Sequence, residues 1–126
     1  MAIGKKVKTG GAYYKGSTLA VSSASGDYVA YLTISSGGCA VNSIAVIPSS
    51  AGSGDTFKLE HVDGTSSGST VLATIGEALP NMGAGIPINL DFYAQELMLT
   101  DHALKITYSN TSSIANTIFI ILERGR

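Results

Sequence analysis

The sequence predicts an all-β fold: a single-domain antiparallel β-sandwich of the jelly-roll type, with about eight strands. Three observations predict it. Extended segments alternate with turn-forming runs such as "PSSAGSG", "DGTSSG" and "SNTSS", at the roughly 8–12-residue spacing of sandwiches and barrels. The composition, 44% hydrophobic and 13% charged with 15 glycines in 126 residues, suits one core built from short strands and flexible turns. Two segments also alternate with period two: Phe57, Leu59 and His61 oppose Lys58 and Glu60, and Leu104, Ile106 and Tyr108 oppose Lys105, Thr107 and Ser109. Each of these has one wet face.

Residues 1–16, "MAIGKKVKTGGAYYKG", carry Lys5, Lys6, Lys8 and Lys15, with no acidic residue before Asp27. They are expected to form a basic N-terminal arm, either frayed or ordered on an acidic partner; residues 17–126 are the expected sandwich domain. There the strands are read as "STLAVSS", "DYVAYLTI", "CAVNSIAVI", "DTFKLEHV", "STVLATI", "IPINL", "ELMLT", "ALKITYS" and "IANTIFIILE". The first is short, and those after it make up the sandwich. A helix over "AQELMLTDHALK" competes, because the window holds good helix formers and neither Gly nor Pro; the period-two flanks favour strands.

Three segments are apolar on both sides. In "DYVAYLTI", Tyr28, Ala30, Leu32 and Ile34 oppose Val29, Tyr31 and Thr33. In the last strand, Ile114, Ile118, Ile120 and Leu122 oppose Ala115, Thr117, Phe119 and Ile121. In "CAVNSIAVI", Val41, Ala45 and Ile47 oppose Ile44 and Val46. A jelly roll places its first and last strands side by side. With "DYVAYLTI" as the first, the faces turned away from the core make a patch of Val29, Tyr31, Phe119 and Ile121. Such a patch needs a cover, from another molecule or from the chain's own arm. Burying four such side chains is worth about 6–12 kcal/mol, against about 4–15 kcal/mol for docking two bodies. The contact therefore needs repetition or a second anchor, and a homo-oligomer, a trimer above all, is expected.

The net charge of -1 gives no electrostatic basis for a nucleic-acid partner. The lone Cys39 allows no intramolecular disulfide, and no cofactor or metal is expected. His61 and His102 are the only histidines and share no recognised ligand spacing with Glu60, Asp63 or Asp101. His61 reads as a hydrogen-bonded structural imidazole and His102 as a turn residue. Asp63 in "VDGTSSGS" fits an Asp-Gly turn better than a calcium loop. "GTSSG" matches the Gly-x-Ser-x-Gly elbow with Ser66 at its centre, but that mechanism needs a helix after the serine, and "STVLATI" reads as a strand. Catalysis is not expected. Tyr13, Tyr14, Tyr93 and Tyr108 are the residues a carbohydrate- or receptor-binding alternative would use for stacking, and the absence of Trp weakens it. The opening residues have no apolar run behind their lysines, so cytoplasmic synthesis is expected. Ile118 to Leu122 is far short of the roughly 20 residues of a membrane span.

The short-stranded run ending "LKITYSNTSSIANTIFIILERGR" behind a basic, glycine-bearing arm resembles the small jelly-roll virion proteins of tailed bacteriophages, especially capsid decoration or cement proteins. The resemblance extends from about Tyr13 to Glu123. It implies a non-enzymatic virion protein, assembled in the host bacterial cytoplasm, that bridges major-capsid subunits. Lys5, Lys6, Lys8 and Lys15 would then anchor it, and the apolar face would make subunit contacts.

Overall fold

The computed structural model describes residues 13–33, 39–98 and 101–124. The strands are β1 (Tyr13–Val21), β2 (Gly26–Thr33), β3 (Cys39–Pro48), β4 (Thr56–Val62), β5 (Val71–Pro80), β6 (Ile88–Met98), β7 (Ala103–Asn110) and β8 (Asn116–Arg124). They form two four-stranded sheets, β1-β8-β3-β6 (sheet I) and β2-β7-β4-β5 (sheet II), and every pairing is antiparallel. That strand order is the jelly roll.

The core lies between the sheets. Leu19 and Val21 of β1, Ile44 and Val46 of β3, and Ile118, Ile120 and Leu122 of β8 meet Leu32, Phe57, Leu59, Leu104, Ile106 and Tyr108 from sheet II. Phe57 and Tyr108 stack with ring centroids 5.0 Å apart. The inward sides expected for β4 and β7 hold, because Phe57, Leu59 and His61, and Leu104, Ile106 and Tyr108, are all buried, whereas Glu60, expected on the wet side of β4, is itself only 7% exposed.

Three expectations need correction. "IPINL" and "ELMLT" are parts of one strand, β6, since the residues between them include no Gly or Pro to break it. The strand that lies beside the last one is therefore β1, in register from Tyr13↔Arg124 to Val21↔Asn116; "DYVAYLTI" is β2 and pairs with β7 in the other sheet. Val29 and Tyr31 accordingly do not adjoin Phe119 and Ile121. In β3, a bulge between Val41 and Ser43 changes the alternation, so that Val41 is buried together with Ile44 and Val46, rather than lying on the face of Ala45 and Ile47.

β1 starts at Tyr13, so residues 13–16 of the expected arm belong to sheet I. Lys15 lies on this strand, and its Nζ donates to the Thr33 carbonyl at the end of β2. It ties the edges of the two sheets together. Lys5, Lys6 and Lys8 lie outside the described residues.

Candidate assembly surface

The outer face of sheet I follows from strand parity. With Leu19, Val21, Ile118, Ile120 and Leu122 turned inward, Gly16, Thr18 and Ala20 of β1 and Thr117, Phe119, Ile121 and Glu123 of β8 turn outward. Registers add Ile47, Ala45 and Ser43 of β3, opposite Phe119, Ile121 and Glu123, then Asn89 and Asp91 of β6, opposite Ala45 and Ser43. The centre of this face is apolar. Phe119 keeps 45% and Ile121 41% of its surface exposed, flanked by small or half-buried neighbours. Among the described residues of the face, acidic charge lies only at one end, on Asp91 and Glu123, where Glu123 Oε1 accepts from Ser43 Oγ at 3.1 Å.

Gly16 shapes the middle of the face. It pairs with Ile121, and a Cβ built on it would meet nothing nearer than the Ile120 carbonyl oxygen at 3.9 Å. A shallow open groove of about 500 Å³ lies here, lined by Gly16, Ser17, Thr18, Phe119, Ile120 and Ile121.

Sheet II presents a different outer face. Asp27, Val29 and Tyr31 of β2 lie beside Ser109, Thr107 and Lys105 of β7, which adjoin Thr56, Lys58 and Glu60 of β4. Ser109 Oγ donates to Asp27 Oδ1 at 2.8 Å, Lys58 pairs with Glu60 at 3.4 Å, and the Lys105 ammonium sits 5.9 Å from the centroid of the Tyr31 ring. Charge is spread across this face and locally compensated. Val29 is 41% exposed among polar neighbours at the centre of this sheet, and on the edge strand β5 Val71 and Leu72 are 44% and 49% exposed, so sheet II mixes charge with scattered apolar surface.

The end of the sandwich bearing the β1–β2, β3–β4, β5–β6 and β7–β8 connections is fixed by a buried polar cluster that the sequence reading missed. Asp55 is 1% exposed. Its Oδ1 accepts from the backbone N–H groups of Thr111 (2.7 Å) and Ser112 (3.0 Å), and its Oδ2 from Tyr108 Oη (2.5 Å) and Ser112 Oγ (2.9 Å). Tyr108 Oη in turn accepts from Asn81 Nδ2 (2.9 Å) and Asn116 Nδ2 (3.1 Å). Asn116 Oδ1 accepts from Ser49 and Ser50 N–H, each at 2.9 Å, and Asn110 Nδ2 reaches the Ser22 carbonyl at 2.8 Å. Gly52 is required here, because a Cβ on it would lie 2.0 Å from Asp55 Oδ2. Burial pushes the Asp55 carboxyl pKa up, but the hydrogen bonds from Tyr108, Thr111 and Ser112 outweigh it and hold the pKa below its ordinary value. The Tyr108 hydroxyl is pushed up by burial and by donating to Asp55. One signal was legible: a Tyr on an apolar face must find a partner for its hydroxyl.

His61 is 4% exposed, and its Nε2 lies 2.7 Å from His102 Nδ1, a direct imidazole pair. Among the described residues, no group of three His, Cys, Asp or Glu side chains is placed to hold a metal. Asp63 Oδ1 accepts from Thr70 N–H at 2.7 Å, closing the β4–β5 loop. Ser66 lies exposed in that loop, its carbonyl accepting from Ser69 Oγ at 2.7 Å, and strand β5 follows rather than a helix. Tyr108 is buried in the core, which removes it from any sugar-stacking surface; the side chains of Tyr13, Tyr14, Cys39 and Tyr93 lie outside the described ones.

No protein-family model matches the sequence, and no curated protein matches it. Solved structures share the general shape. A tomato aspermy virus structure aligns with TM-score 0.46 and 14% identity over 91% of this chain and 78% of that one. The cyanophage Pam1 capsid asymmetric unit aligns with TM-score 0.46 and 15% identity over 91% and 86%. A structure described as CBM4 aligns with TM-score 0.40 and 14% identity over 82% and 77%. These likenesses are remote and span unrelated kinds of protein, so they assign no function.

Proposed function

We propose that the chain is a non-enzymatic structural subunit of a virion, a decoration or cement protein that reinforces a shell by bridging major-capsid subunits and is assembled in the cytoplasm of a bacterial host. The observation that carries this reading is the outer face of sheet I: an apolar stripe around Phe119 and Ile121, charged only at one end among its described residues, on a sandwich whose other sheet has charged residues across its central strands. A surface of that kind gains by being covered with protein. The resemblance carried by the sequence supplies the shell as the setting.

The energetics set how the face would be used. Phe119 and Ile121 are already half hidden, so finishing their burial is worth about 1–1.5 kcal/mol each, well below the roughly 4–15 kcal/mol cost of association. The face works as one contact among several, through symmetry or a tethered second anchor. Lys5, Lys6 and Lys8 are the residues proposed for that anchor, on an acidic shell surface. A homo-oligomer, the trimer expected from the sequence above all, would repeat both contacts. Area added across shell joints raises the barrier to their opening, and the role needs no cofactor, no membrane and no nucleic acid.

The test is isolation of the native complex that contains this chain, followed by electron microscopy and mass spectrometry. Closed shells carrying the chain in regular stoichiometry, lost when Lys5, Lys6 and Lys8 are all changed to Glu, are the expected result. Recovery of the chain free of particles would overturn the reading.

A further inference from the structure

We infer that His61 and His102 form an acid-sensitive latch: at neutral pH their shared hydrogen bond holds the start of β7 onto the end of β4, and acidification releases it.

The pair sits where such a latch would act. His61 is the next-to-last residue of β4 and is buried, while His102 immediately precedes β7 and is partly exposed. Their facing nitrogens, Nε2 of His61 and Nδ1 of His102, are 2.7 Å apart, with ring centroids at 4.8 Å. Backbone pairing stops beside them: Val62↔Ala103 is the last β4–β7 pair and Thr33↔Ala103 the last β2–β7 pair. The imidazoles extend the β4–β7 ladder by one side-chain contact, at the end of the sandwich opposite Asp55 and where β1 begins.

A contact of this length is an N–H···N hydrogen bond, which needs one facing nitrogen with a proton and one without. Two neutral rings meet that condition, and so do two rings that share one added proton. A second added proton puts an N–H on both facing nitrogens and sets two like charges against each other, so the bond cannot form. Histidine is the side chain that changes charge between about pH 5 and 8, and the partly exposed His102 gives protons a way in. The open pair thus binds one proton more than the latched pair. Its population rises by up to about tenfold for each pH unit of acidification.

Other charged groups surround this end. Glu60 and Lys105 lie on the outer face of sheet II, paired in register, with Lys58 bonded to Glu60. Asp63 accepts from Thr70 N–H, and Asp101, next to His102, is exposed. Strand β5 places the uncharged Ala73 opposite His61. In sheet I, the buried Val41 stands in register with Glu96 and Arg124, whose side chains lie outside the described ones. The Lys15 ammonium, bonded to the Thr33 carbonyl, adds positive charge at this end.

Hydrogen exchange of the full chain at about pH 7 and about pH 5, read by mass spectrometry and corrected for the intrinsic pH dependence of exchange, tests the latch. Peptides over residues 60–64 and 101–105 should exchange about tenfold faster or more at the lower pH, with the core strand segment Ile118–Leu122 unchanged. Asp55, whose carboxyl is held below its ordinary value, stays ionised across this interval and does not contribute. In His102→Gln the amide can bond His61 but takes up no proton, and the acid effect should shrink to less than about threefold. Wild-type peptides that keep their protection in acid, or a His102→Gln chain that loses it as wild type does, would overturn the inference. Nitrogen NMR of the histidine rings adds a readout that needs no variant. One proton should enter the pair while the segment stays protected, and the second only as it opens; two protons taken up with protection intact would also overturn it.

Discussion

The two sheets share one core but show water very different surfaces. On sheet II, β2, β4 and β7 alternate apolar-in with Asp27, Lys58, Glu60 and Lys105 outward, and each of those charges has a neighbour that satisfies it. On sheet I, β8 is apolar in both directions: Ile118, Ile120 and Leu122 inward, Phe119 and Ile121 outward. A solvated sheet face has no use for the second set. The contrast separates residues that fold the protomer from residues left at its surface: one side of "TIFIILE" is core, and the other is the exposed apolar surface that we propose as an interface.

The largest effect we expect comes from the end that anchors both sheets, and it sets the scale for either face. Asp55→Ala removes the acceptor for Tyr108 Oη and for the Thr111 and Ser112 N–H groups, leaving several buried donors unsatisfied. It should destabilise the protomer by about 3–5 kcal/mol, read as a lowered urea midpoint, with assembly lost only as a consequence of unfolding.

Acid should act on the same anchor. The folded pKa of Asp55 is depressed below 3.8, so its contribution is fully present above that value and is lost as pH falls through the folded pKa. Urea midpoints of wild type should decline as pH drops below about 4, and the decline should be shallower in Asp55→Asn.

Single substitutions on the two faces sharpen the contrast. Phe119→Asp should abolish self-association in size-exclusion chromatography with light scattering, while costing the half-exposed site at most about 1 kcal/mol of protomer stability. Val29→Asp, at similar exposure on sheet II, should leave the elution profile unchanged. Equal disruption by both would erase the distinction between the faces. The smallest effect belongs to Lys58→Ala, which removes one partly exposed ion pair and should change stability by less than about 1 kcal/mol.

Much of this was legible in the sequence. The alternation in "TFKLEHV" and "ALKITY" gave the inward faces of β4 and β7, and the double-sided apolarity of "TIFIIL" marked Phe119 and Ile121 as outward. Three things were not legible, for physical reasons. Which strand neighbours the last one depends on strand count, and β6 runs unbroken through a stretch that reads as two segments; hence Val29 and Tyr31 fell on the wrong sheet. A bulge at residue 42 has no period of its own, so the side taken by Val41 could not be read. The Asp55 cluster joins residues from Asp55 to Asn116 that only the fold brings together, and in the sequence each looks like ordinary turn chemistry.

The central claim is that sheet I is covered in the working assembly and sheet II is not. Hydroxyl-radical footprinting of the assembled protein, read by mass spectrometry at Phe119 and Tyr31 against a dilute reference, tests it directly. Strong protection of Phe119 with Tyr31 still oxidised is the predicted result. Phe119 oxidised as readily in the assembly as in dilute solution would contradict it.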